Sequence, residues 1–562
     1  MSNQPFFWLN PESVKFLHDG YIAPDVDPID RLKEIAREAK TYLLAANPDS
    51  ISDPIVANFE EKFLDYASRG WISLSSPVWS NYGSAYRTLP ISCFGSYVDD
   101  SVYGILSTQA EVGTMCKNGG GTSGYFGALR KRGEKISTGG EASGPVHYMQ
   151  AFDSVANIIS QGSTRRGHFA AYLDIEHPDI EEFMLIRSKG NPIQDMSFGV
   201  CISDEWMQAA KDGDKDKRQI WSSIIKKKFE SGYPYILWSD TVNQNKPQVY
   251  IDLEMLIHAS NMCTEIMLPS GVDFSFVCCL ASLNLLYYQD WKDTDLVQVM
   301  IYFLDTVLTD FINKAKNIPF MERSVKFAEE HRALGLGVLG YHSYLQSNMI
   351  PFASMEAQYW NKEVFKLIDE RSLAATKTLA ELYGEPVILK GYGQRNTTRI
   401  AIAPTTSSSY ILGQVSPGIE PWLNNYFIED NAKGMFVYKN KNLERILVEK
   451  GRNTKDVWDS ILHNDGSVQH LDFLSDHEKE VFKSFIEISQ KEIVVQAAQR
   501  QRYIDQAQSI NLMIHPKANK KEVNELYFFA WEAGLKSLYY QRGVNVSQEL
   551  ANNLLNCAAC EA

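Results

Sequence analysis

The sequence predicts a large α/β protein with helical regions packed around it. Between residues 71 and 290, short apolar runs such as 170–173 and 198–202 alternate with clusters of Gly, Ser and Thr. This pattern is typical of buried strands joined by functional loops. Residues 30–44 and 54–68 instead carry apolar side chains at helical spacing. The 44% hydrophobic and 22% charged content is ordinary for a soluble globular protein.

Charge and hydropathy exclude several functional classes. The net charge of −14 argues against non-specific nucleic-acid binding, which needs a basic surface. The N-terminus lacks the basic and apolar regions of a secretory signal. The most apolar stretch, residues 296–312, contains Asp305 and Asp310 and therefore predicts a buried helix, not a membrane span. We expect a cytoplasmic protein with neither a nucleic-acid nor a membrane partner.

Two glycine runs, residues 119–124 and 335–340, match the GxGxxG pattern of dinucleotide-binding loops. That function needs a strand before the glycines and a helix after them. The first run follows a helix-like segment and leads into a strand-like one, and the second lies inside an apolar helix-like run. The context therefore disfavours a dinucleotide site. We expect the first run to let backbone approach a ligand and the second to permit tight packing.

The cysteines are the most informative residues of the sequence. Cys263 is the most informative cysteine, because Asn261 lies two residues before it and Glu265 two residues after it. In an extended segment, residues i−2, i and i+2 point the same way, so amide, thiol and carboxylate would face one pocket. Cys557 and Cys560 form a CxxC pair suited to thiol–disulfide exchange. Together these features predict a thiol enzyme whose active-site disulfide is reduced by its own tail.

A zinc site is the alternative interpretation of these thiols. Cys263 and Cys278 together with the CxxC pair could bind zinc, but zinc sites usually contain two CxxC pairs and the chain has one. A zinc-stabilised nucleotide-binding module therefore stands as the non-enzyme alternative, and we expect no metal site. Cys116 and Cys201 have no partner motif and are expected to be buried small hydrophobic residues.

From about residue 71 onward the chain resembles the catalytic α subunit of class I ribonucleotide reductase. The motifs that carry the resemblance are Ser76-Pro77, Ser92-Cys93, residues 118–124, residues 160–167, residues 261–265, Cys278 with Asn284, Arg395-Asn396, residues 404–409, residues 418–421, residues 538–541 and the terminal CxxC.

The resemblance implies a ten-stranded α/β barrel with a central finger loop that carries the radical cysteine. It divides the chain into an N-terminal helical region (1–70), a catalytic barrel (71–541, with effector loops at about 95–167) and a mobile redox-active tail (542–562). The first 70 residues already have to supply two packed helices, so we expect a short form without the N-terminal ATP-cone.

The resemblance also implies roles for the residues around Cys263. Cys263 would carry a transient thiyl radical that abstracts the ribose 3′-hydrogen. Glu265 would take the 3′-hydroxyl proton, which is general-base work, and Asn261 would hydrogen-bond the 2′,3′ region of the sugar. The product would be a 2′-deoxyribonucleotide for DNA synthesis.

Four further cysteines would supply the reducing equivalents. The resemblance implies that Cys93 and Cys278 deliver the proton and electrons that remove the 2′-hydroxyl as water, becoming a disulfide. Cys557 or Cys560 would open this disulfide by exchange, and thioredoxin or glutaredoxin would restore the tail.

Tyr539 and Tyr540 would relay an oxidising equivalent to Cys263 from a metal-containing β subunit, so the chain itself would bind no cofactor. On the residues alone, the two rings could equally pack in a strand. An adenosylcobalamin-dependent enzyme is the alternative without a β subunit.

Nucleotide-binding residues are implied as well. The substrate-binding set is Ser76, Ser92, Gly121, Thr405, Thr406, Ser407 and Ser408, whose last four members suit phosphate because hydroxyls and free N–H groups at a helix start bind anions. The family often has a carboxylate at the position of Thr406, which leaves both diphosphate and triphosphate substrates open. The effector set, for ATP or a deoxynucleoside triphosphate, is Asp100, Ser101, Arg130 and Arg165. A homodimer is also compatible with the resemblance.

Overall fold

The computed structural model describes residues 4–83, 88–137, 139–159, 167–431, 434–515 and 517–543. Its strands are β1 Ile72–Leu74, β2 Cys93–Tyr97, β3 Gly121–Tyr125, β4 Phe169–Asp174, β5 Ser197–Ile202, β6 Tyr235–Trp238, β7 Phe276–Asn284, β8 Leu334–Leu339, β9 Tyr426–Asn431, β10 Gly434–Lys439, β11 Leu512–Met513, β12 Ser537–Leu538 and β13 Gln541–Arg542.

The α-helices are α1 Pro11–His18, α2 Pro28–Ala46, α3 Pro54–Ala57, α4 Phe59–Ser68, α5 Ser76–Asn81, α6 Val102–Lys117, α7 Pro145–Ile158, α8 Ile180–Phe183, α9 Asp204–Asp212, α10 Lys215–Ser231, α11 Ser239–Gln244, α12 Gln248–Asp252, α13 Tyr288–Trp291, α14 Leu296–Ala315, α15 Glu322–His331, α16 Tyr341–Ser347, α17 Met355–Tyr383, α18 Thr406–Ile411, α19 Lys441–Glu449, α20 Lys455–His463, α21 Asp476–Val481, α22 Gln490–Gln501 and α23 Lys520–Glu532. Short 3-10 helices occupy Pro48–Ser52, Leu285–Tyr287, Val387–Leu389 and Phe485–Glu487.

Within the described residues, nine strands form one curled sheet in the order β1-β7-β2-β3-β4-β5-β6-β12, with β8 added to β7. Strands β2 to β6 are parallel neighbours. Strand β7 runs antiparallel to β2 and parallel to β8, so a second parallel half begins there. These strands are almost entirely buried, as expected for parallel strands covered on both faces.

Shorter segments continue the second half and close the ring. Segment 400–402 bridges β8 on one side and segment 508–513 on the other. Segment 508–513 then meets 537–542, where the Tyr539 N–H donates to the Ile510 carbonyl and β11 pairs with β13. Because β12 also pairs with β6, ten chain segments surround the centre. The predicted ten-stranded α/β barrel is confirmed.

The second glycine run corrects one expectation. Gly335 and Gly337 lie in strand β8, not in a helix. A Cβ at Gly335 would come 2.6 Å from a Leu280 methyl carbon, and one at Gly337 would come 2.7 Å from the Ala401 carbonyl oxygen. The run lacks a period of two because both faces of the strand are buried, so hydropathy alone cannot separate it from a buried helix. The glycines allow the close packing expected of them.

Helices enclose the barrel. Helix α14 is long and apolar enough to cross a membrane, but 83% of its most apolar window is buried inside the protein, as the prediction of a core helix requires. The main hydrophobic core extends from helices α1–α4 through the barrel wall. A separate small core lies among α19, α20 and α21.

Candidate active site

A loop between α12 and β7 carries Asn261, Cys263 and Glu265 through the centre of the barrel. All three side chains are buried. Opposite walls hold the loop backbone: the Tyr172 hydroxyl of β4 donates to the Asn261 carbonyl over 2.7 Å, and the Ser509 hydroxyl donates to the Cys263 carbonyl over 2.5 Å. These bonds fix the loop at the axis of the ring.

The local backbone differs from the extended segment assumed from the sequence. Thr264 has a φ of 68°, in the left-handed region, and its N–H donates to the Asn261 carbonyl, so the chain turns at this point. The Asn261 side chain nevertheless lies close enough to the Glu265 carboxyl to lower its pKa, against the larger increase that burial causes. A turn therefore brings the flanking groups together, where a strand would only have aligned them.

Cys93 and Cys278 are register partners on the antiparallel pair β2 and β7. Directly opposite residues in such a pair have Cα atoms about 4.5–5.5 Å apart, which lies within the range that a disulfide spans. Asn261 Nδ2 donates to the Cys93 sulfur over 3.3 Å, and Gln506 Nε2 donates to the Cys278 sulfur over 3.5 Å. Burial raises the pKa of Cys278 well above its ordinary value, so this group is held as a thiol.

Glu265 is a buried carboxyl, and no cationic side chain of the described residues contacts it. Burial raises its pKa to about 7, and hydrogen bonds, including one from the Ser509 hydroxyl at 3.1 Å, offset part of that increase. A carboxyl that titrates near neutral pH can exchange a proton with a bound hydroxyl during turnover.

Tyr539 and Tyr540 lead from a half-buried position to the thiol. The Tyr539 hydroxyl lies 3.5 Å from the Cys263 sulfur, and the rings of Tyr539 and Tyr540 have centroids 4.1 Å apart. Tyr539 is buried, whereas Tyr540 is partly exposed. The arrangement is a continuous phenol–phenol–thiol contact.

A buried lysine supports these tyrosines. Lys228 Nζ donates to the Tyr539 carbonyl over 3.1 Å and to the Pro234 carbonyl over 2.6 Å. Burial lowers the pKa of Lys228 to about 7. The side chain therefore joins segment 537–542 to the residues just before β6. Two more tyrosines lie there: Tyr233 precedes the strand and Tyr235 begins it.

Three of the predicted substrate residues lie around the start of β2 and β3. Ser76 is the first residue of α5, Ser92 precedes β2, and Gly121 begins β3. The Gly121 N–H donates to the Ser92 carbonyl over 2.7 Å, and a Cβ at Gly121 would come 3.2 Å from the terminal carbon of Met262. Glycine therefore permits the close approach to the central loop. In the described part of the chain, the Ser92 hydroxyl is buried with no hydrogen-bond partner.

The other predicted substrate residues form the start of α18. Thr405 precedes the helix with a φ of 52°, and its hydroxyl accepts from the Gly418 N–H over 2.6 Å. Thr406, Ser407 and Ser408 form the first turn. Among the described residues, the buried Ser407 hydroxyl also has no partner, which suits a group that a ligand satisfies.

The predicted effector residues lie elsewhere, beyond the opposite end of β2. Arg130 Nε donates to Asp100 Oδ2 over 2.8 Å, and both side chains are about one-third exposed. The Ser101 hydroxyl caps α6 by accepting from the Gly104 N–H. The structure therefore does not bring these residues to the thiols. Arg165, Cys557 and Cys560 lie outside the described residues.

Sequence reasoning missed Gln506, Ser509, Lys228 and Tyr233. The Tyr-Pro-Tyr of 233–235 was an available signal, because alternate residues of a strand face one side. Nothing local in the sequence shows that these segments meet the central loop.

Comparison with known proteins identifies the family. The model of the ribonucleotide reductase barrel domain matches residues 91–217, 214–388 and 386–541. The chain belongs to the ribonucleotide reductase family. This match confirms the family resemblance that the sequence motifs indicated.

Individual relatives agree along nearly the whole chain. A Frog virus 3 protein is 36% identical over 86% of this chain and 87% of its own length, and an Invertebrate iridescent virus 3 protein is 34% identical over 94% and 92%. Both carry the name of a ribonucleoside-diphosphate reductase large subunit. The Actinobacillus ureae class Id ribonucleotide reductase alpha subunit matches in structure with a TM-score of 0.90 and 50% identity, over 99% of this chain and 100% of that one.

These findings confirm the enzyme interpretation over the zinc-stabilised module. The chain is a ribonucleotide reductase of the class I large-subunit type, an oxidoreductase of deoxyribonucleotide synthesis. The large-subunit names imply a small-subunit partner and a nucleotide substrate.

Proposed function

We propose that this enzyme reduces ribonucleoside diphosphates through a thiyl radical on Cys263, generated by an oxidant in a metal-containing small subunit. The observation that carries the proposal is the contact from Tyr540 through Tyr539 to the Cys263 sulfur. Cys263 is only 3% exposed, so an oxidising equivalent needs a path through the protein. The names of the viral relatives favour the diphosphate as substrate.

The surrounding groups suit the successive steps. The Cys263 radical takes the 3′-hydrogen of the ribose, and the Glu265 carboxylate takes the 3′-hydroxyl proton. Asn261, beside both Cys93 and Glu265, orients the 2′,3′ edge of the sugar. The 2′-hydroxyl then leaves as water with a proton from the Cys93–Cys278 pair. These two thiols supply two electrons and become a disulfide. Glu265 gives its proton back, and Cys263 returns the hydrogen atom to C3′ and is left as the radical again.

The C-terminal tail then reduces the Cys93–Cys278 disulfide back to two thiols. Cys93 and Cys278 are too deeply buried for a protein reductant to reach them directly. Cys557 and Cys560 supply the CxxC that can exchange with the new disulfide and then with thioredoxin or glutaredoxin. This assignment makes residues 542–562 a functional unit separate from the barrel (71–541) and the N-terminal helices (1–70).

Nucleotides bind at two places in this proposal. The substrate diphosphate lies against the hydroxyls of Ser92 and Ser407, together with Ser76, Gly121, Thr405, Thr406 and Ser408. The polar Asp100–Arg130 pair, Ser101 and Arg165 bind a nucleoside triphosphate effector. Exposed apolar side chains on α6 support a homodimer at the same face, because Val102 is 70% and Tyr103 83% exposed.

The small subunit docks near Tyr540 in this proposal. A groove of about 1110 Å³ between α10 and α23 extends to Gln541, the residue after Tyr540. Trp221, Ile225 and Phe528 provide an apolar lining, and charged side chains surround them. A partner bound there would lie where the oxidising equivalent has to enter. Buried thiols at Cys116, Cys201, Cys278 and Cys279 support a reducing cytoplasmic location.

The test is CDP reduction with dithiothreitol, with and without the metal-containing small subunit. We expect dCDP only when the small subunit is present, and no turnover by Tyr539→Phe, whose ring packs normally but cannot lose a proton and an electron together. Tyr250→Phe is the matched control, because Tyr250 is an equally buried phenol bonded to Thr397.

Three results would contradict parts of the proposal. Full activity of Tyr539→Phe would remove the relay. Activity with adenosylcobalamin in place of the small subunit would favour the cobalamin-dependent class. Reduction of CTP in preference to CDP would favour a triphosphate substrate.

A further inference from the structure

A third phenol touches the tyrosine pair. The Tyr233 hydroxyl lies 3.0 Å from the Tyr540 hydroxyl, and the two rings meet edge to face with centroids 5.2 Å apart. Tyr233 is completely buried. Its hydroxyl also meets the Ser197 hydroxyl at 3.1 Å, so both recorded partners of this phenol are neutral hydroxyl groups.

The backbone fixes this contact. Lys228 donates to the carbonyls of Pro234 and Tyr539, the neighbours of the two phenols in sequence. The Gln541 N–H donates to the Gly232 carbonyl from the other side. The Phe198 ring stacks on Tyr233 at 5.4 Å with an interplanar angle of 11°. Backbone pairing, ring stacking and the buried Lys228 side chain therefore hold Tyr233 beside Tyr540.

The following inference rests on the proposed relay through Tyr540 and Tyr539. We propose that Tyr233 is a third redox-active tyrosine, which exchanges a hydrogen atom with Tyr540. When Tyr540 is the radical, the O–H bond of Tyr233 breaks and that of Tyr540 forms, so one proton and one electron move together. The oxidant is the one-electron equivalent that the metal-containing small subunit supplies, and no other reactant is needed.

The surroundings of Tyr233 suit a side position of the relay, not its end point. The same type of O–H bond is broken and formed, so the free energy of the exchange is close to zero. The guanidinium carbon of Arg187 lies 5.0 Å from the centroid of the Tyr233 ring. A cation over the ring face is attracted to its electrons, so removing one costs more. Arg187 therefore makes the Tyr233 radical less stable, so that Tyr233 does not trap the oxidising equivalent.

This side path from Tyr540 to Tyr233, the branch, gives the radical a site that is shielded from water. Tyr540 is partly exposed, whereas Tyr233 is closed off from solvent. A radical shared with Tyr233 spends part of its lifetime away from solution reductants, and it returns to Tyr540 through the same hydrogen bond. Packing alone would require the Tyr233 ring but not its hydroxyl.

The experiment places 3-aminotyrosine, which is easier to oxidise than tyrosine, singly at positions 540, 233 and 250 of the full chain. Each variant is mixed with the small subunit, CDP and ATP, and its radical is recorded by electron paramagnetic resonance. We expect an aminotyrosyl signal at 540 and at 233 and none at 250. Combining aminotyrosine at 233 with Tyr540→Phe should reduce the signal at least tenfold, since the branch is reached through Tyr540.

The outcomes separate this inference from the relay itself. A signal at 540 without one at 233 overturns the branch and leaves the relay standing, whereas no signal at 540 overturns the relay. Tyr233→Phe provides a second measurement that needs no unnatural residue. We expect kcat to fall about fivefold, the effect of one lost hydrogen bond, with KM unchanged. An unchanged kcat would overturn the role of the hydroxyl.

Discussion

Glu265 and Asp305 are both buried carboxylates of this barrel, yet their pKa values move in opposite directions. Burial raises the pKa of Glu265 to about 7, because hydrogen bonds offset only part of the cost of burying its charge. Burial acts on Asp305 as well, but the guanidiniums of Arg332 and Arg395 outweigh it and lower the pKa below its ordinary value. Their nitrogens lie 2.7 and 2.9 Å from its oxygens.

The difference agrees with the proposed proton-transfer role of Glu265 and with a structural role of Asp305. Asp305 is ionised at neutral pH and joins α14 to the Arg332 and Arg395 segments, and Asn396 adds a further hydrogen bond. Glu265 can change its charge at neutral pH, which a proton-transfer step requires and a scaffold does not. Among the described residues, the lack of a paired cation, not burial itself, distinguishes Glu265 from Asp305.

The largest expected effect comes from changing the thiol beside Glu265. Cys263→Ser should abolish dCDP formation while nucleotide binding persists, because a hydroxyl holds its hydrogen too strongly to carry the radical. Cys201→Ser is the control, since that thiol is also buried but donates to the His258 carbonyl. Turnover assays and nucleotide titrations measure the two properties. Deoxynucleotide production by Cys263→Ser would refute the radical assignment.

Glu265→Gln removes the titrating group and keeps its shape. We expect a rate loss of about 10²–10⁴-fold, the usual contribution of a general base. Wild-type activity should rise as pH increases through about 7, where Glu265 loses its proton, and the variant should lack this rise. A wild-type pH profile retained by the Gln variant would assign the ionisation to another group.

The same substitution tests the cost of burying the charge. The pKa of Glu265 is higher in the folded than in the unfolded chain, so ionisation reduces wild-type stability as pH rises from about 4.5 to about 7. Glu265→Gln should therefore gain stability relative to wild type at pH 8, by up to about 3 kcal/mol, and little at pH 4. Urea unfolding at both pH values measures the difference; equal stability differences would contradict it.

Asp305→Asn should mainly destabilise the fold, by about 3–5 kcal/mol, because two buried guanidiniums lose their partner. Asp305 has a lowered pKa when folded, so its contribution is present above the unfolded pKa and is lost as pH falls through the folded value. The destabilisation should be large at pH 7 and smaller in acid. If the variant unfolded like wild type in urea at pH 7 but had lost activity, Asp305 would belong to the chemistry instead.

The smallest effect on stability is expected at the exposed Asp100–Arg130 pair. Asp100→Asn should change the unfolding free energy by less than about 1 kcal/mol, since solvent screens such pairs. Its effect should appear in regulation, as a loss of the response of CDP reduction to added nucleoside triphosphates. Asp65→Asn, at another exposed ion pair, is the control. An unchanged effector response would remove Asp100 from the effector site.

The sequence predicted the fold and the central residues because both have strong local signals. Cys263 with its two flanking groups and the order of the motifs are contiguous patterns, and they led to the barrel. The closing segments are only a few residues long and pair across the chain, so periodicity could not find them. Strand β8 was mistaken for a helix because burial on both faces removes its alternation.

The supporting residues were harder for a different reason. Ser509 contacts Glu265 across 244 positions of sequence, and Gln506 contacts Cys278 across 228. Both are single polar residues whose importance comes from the segment they face. Only the closed ring shows that they line the same interior, so no window of sequence contains the signal.

The segment that closes the ring also has a consequence for biosynthesis. Residues 537–542 complete the barrel and carry Tyr539 and Tyr540, the two tyrosines of the proposed relay, and they follow every other ring segment in the chain. About 440 residues separate them from Cys93, which at roughly 5–20 residues per second means that the ribosome needs about 20–90 s to add them. Until then a nascent chain has its thiols but neither a sealed interior nor a route for oxidation. On the proposed mechanism, a product of premature termination would not reduce ribonucleotides.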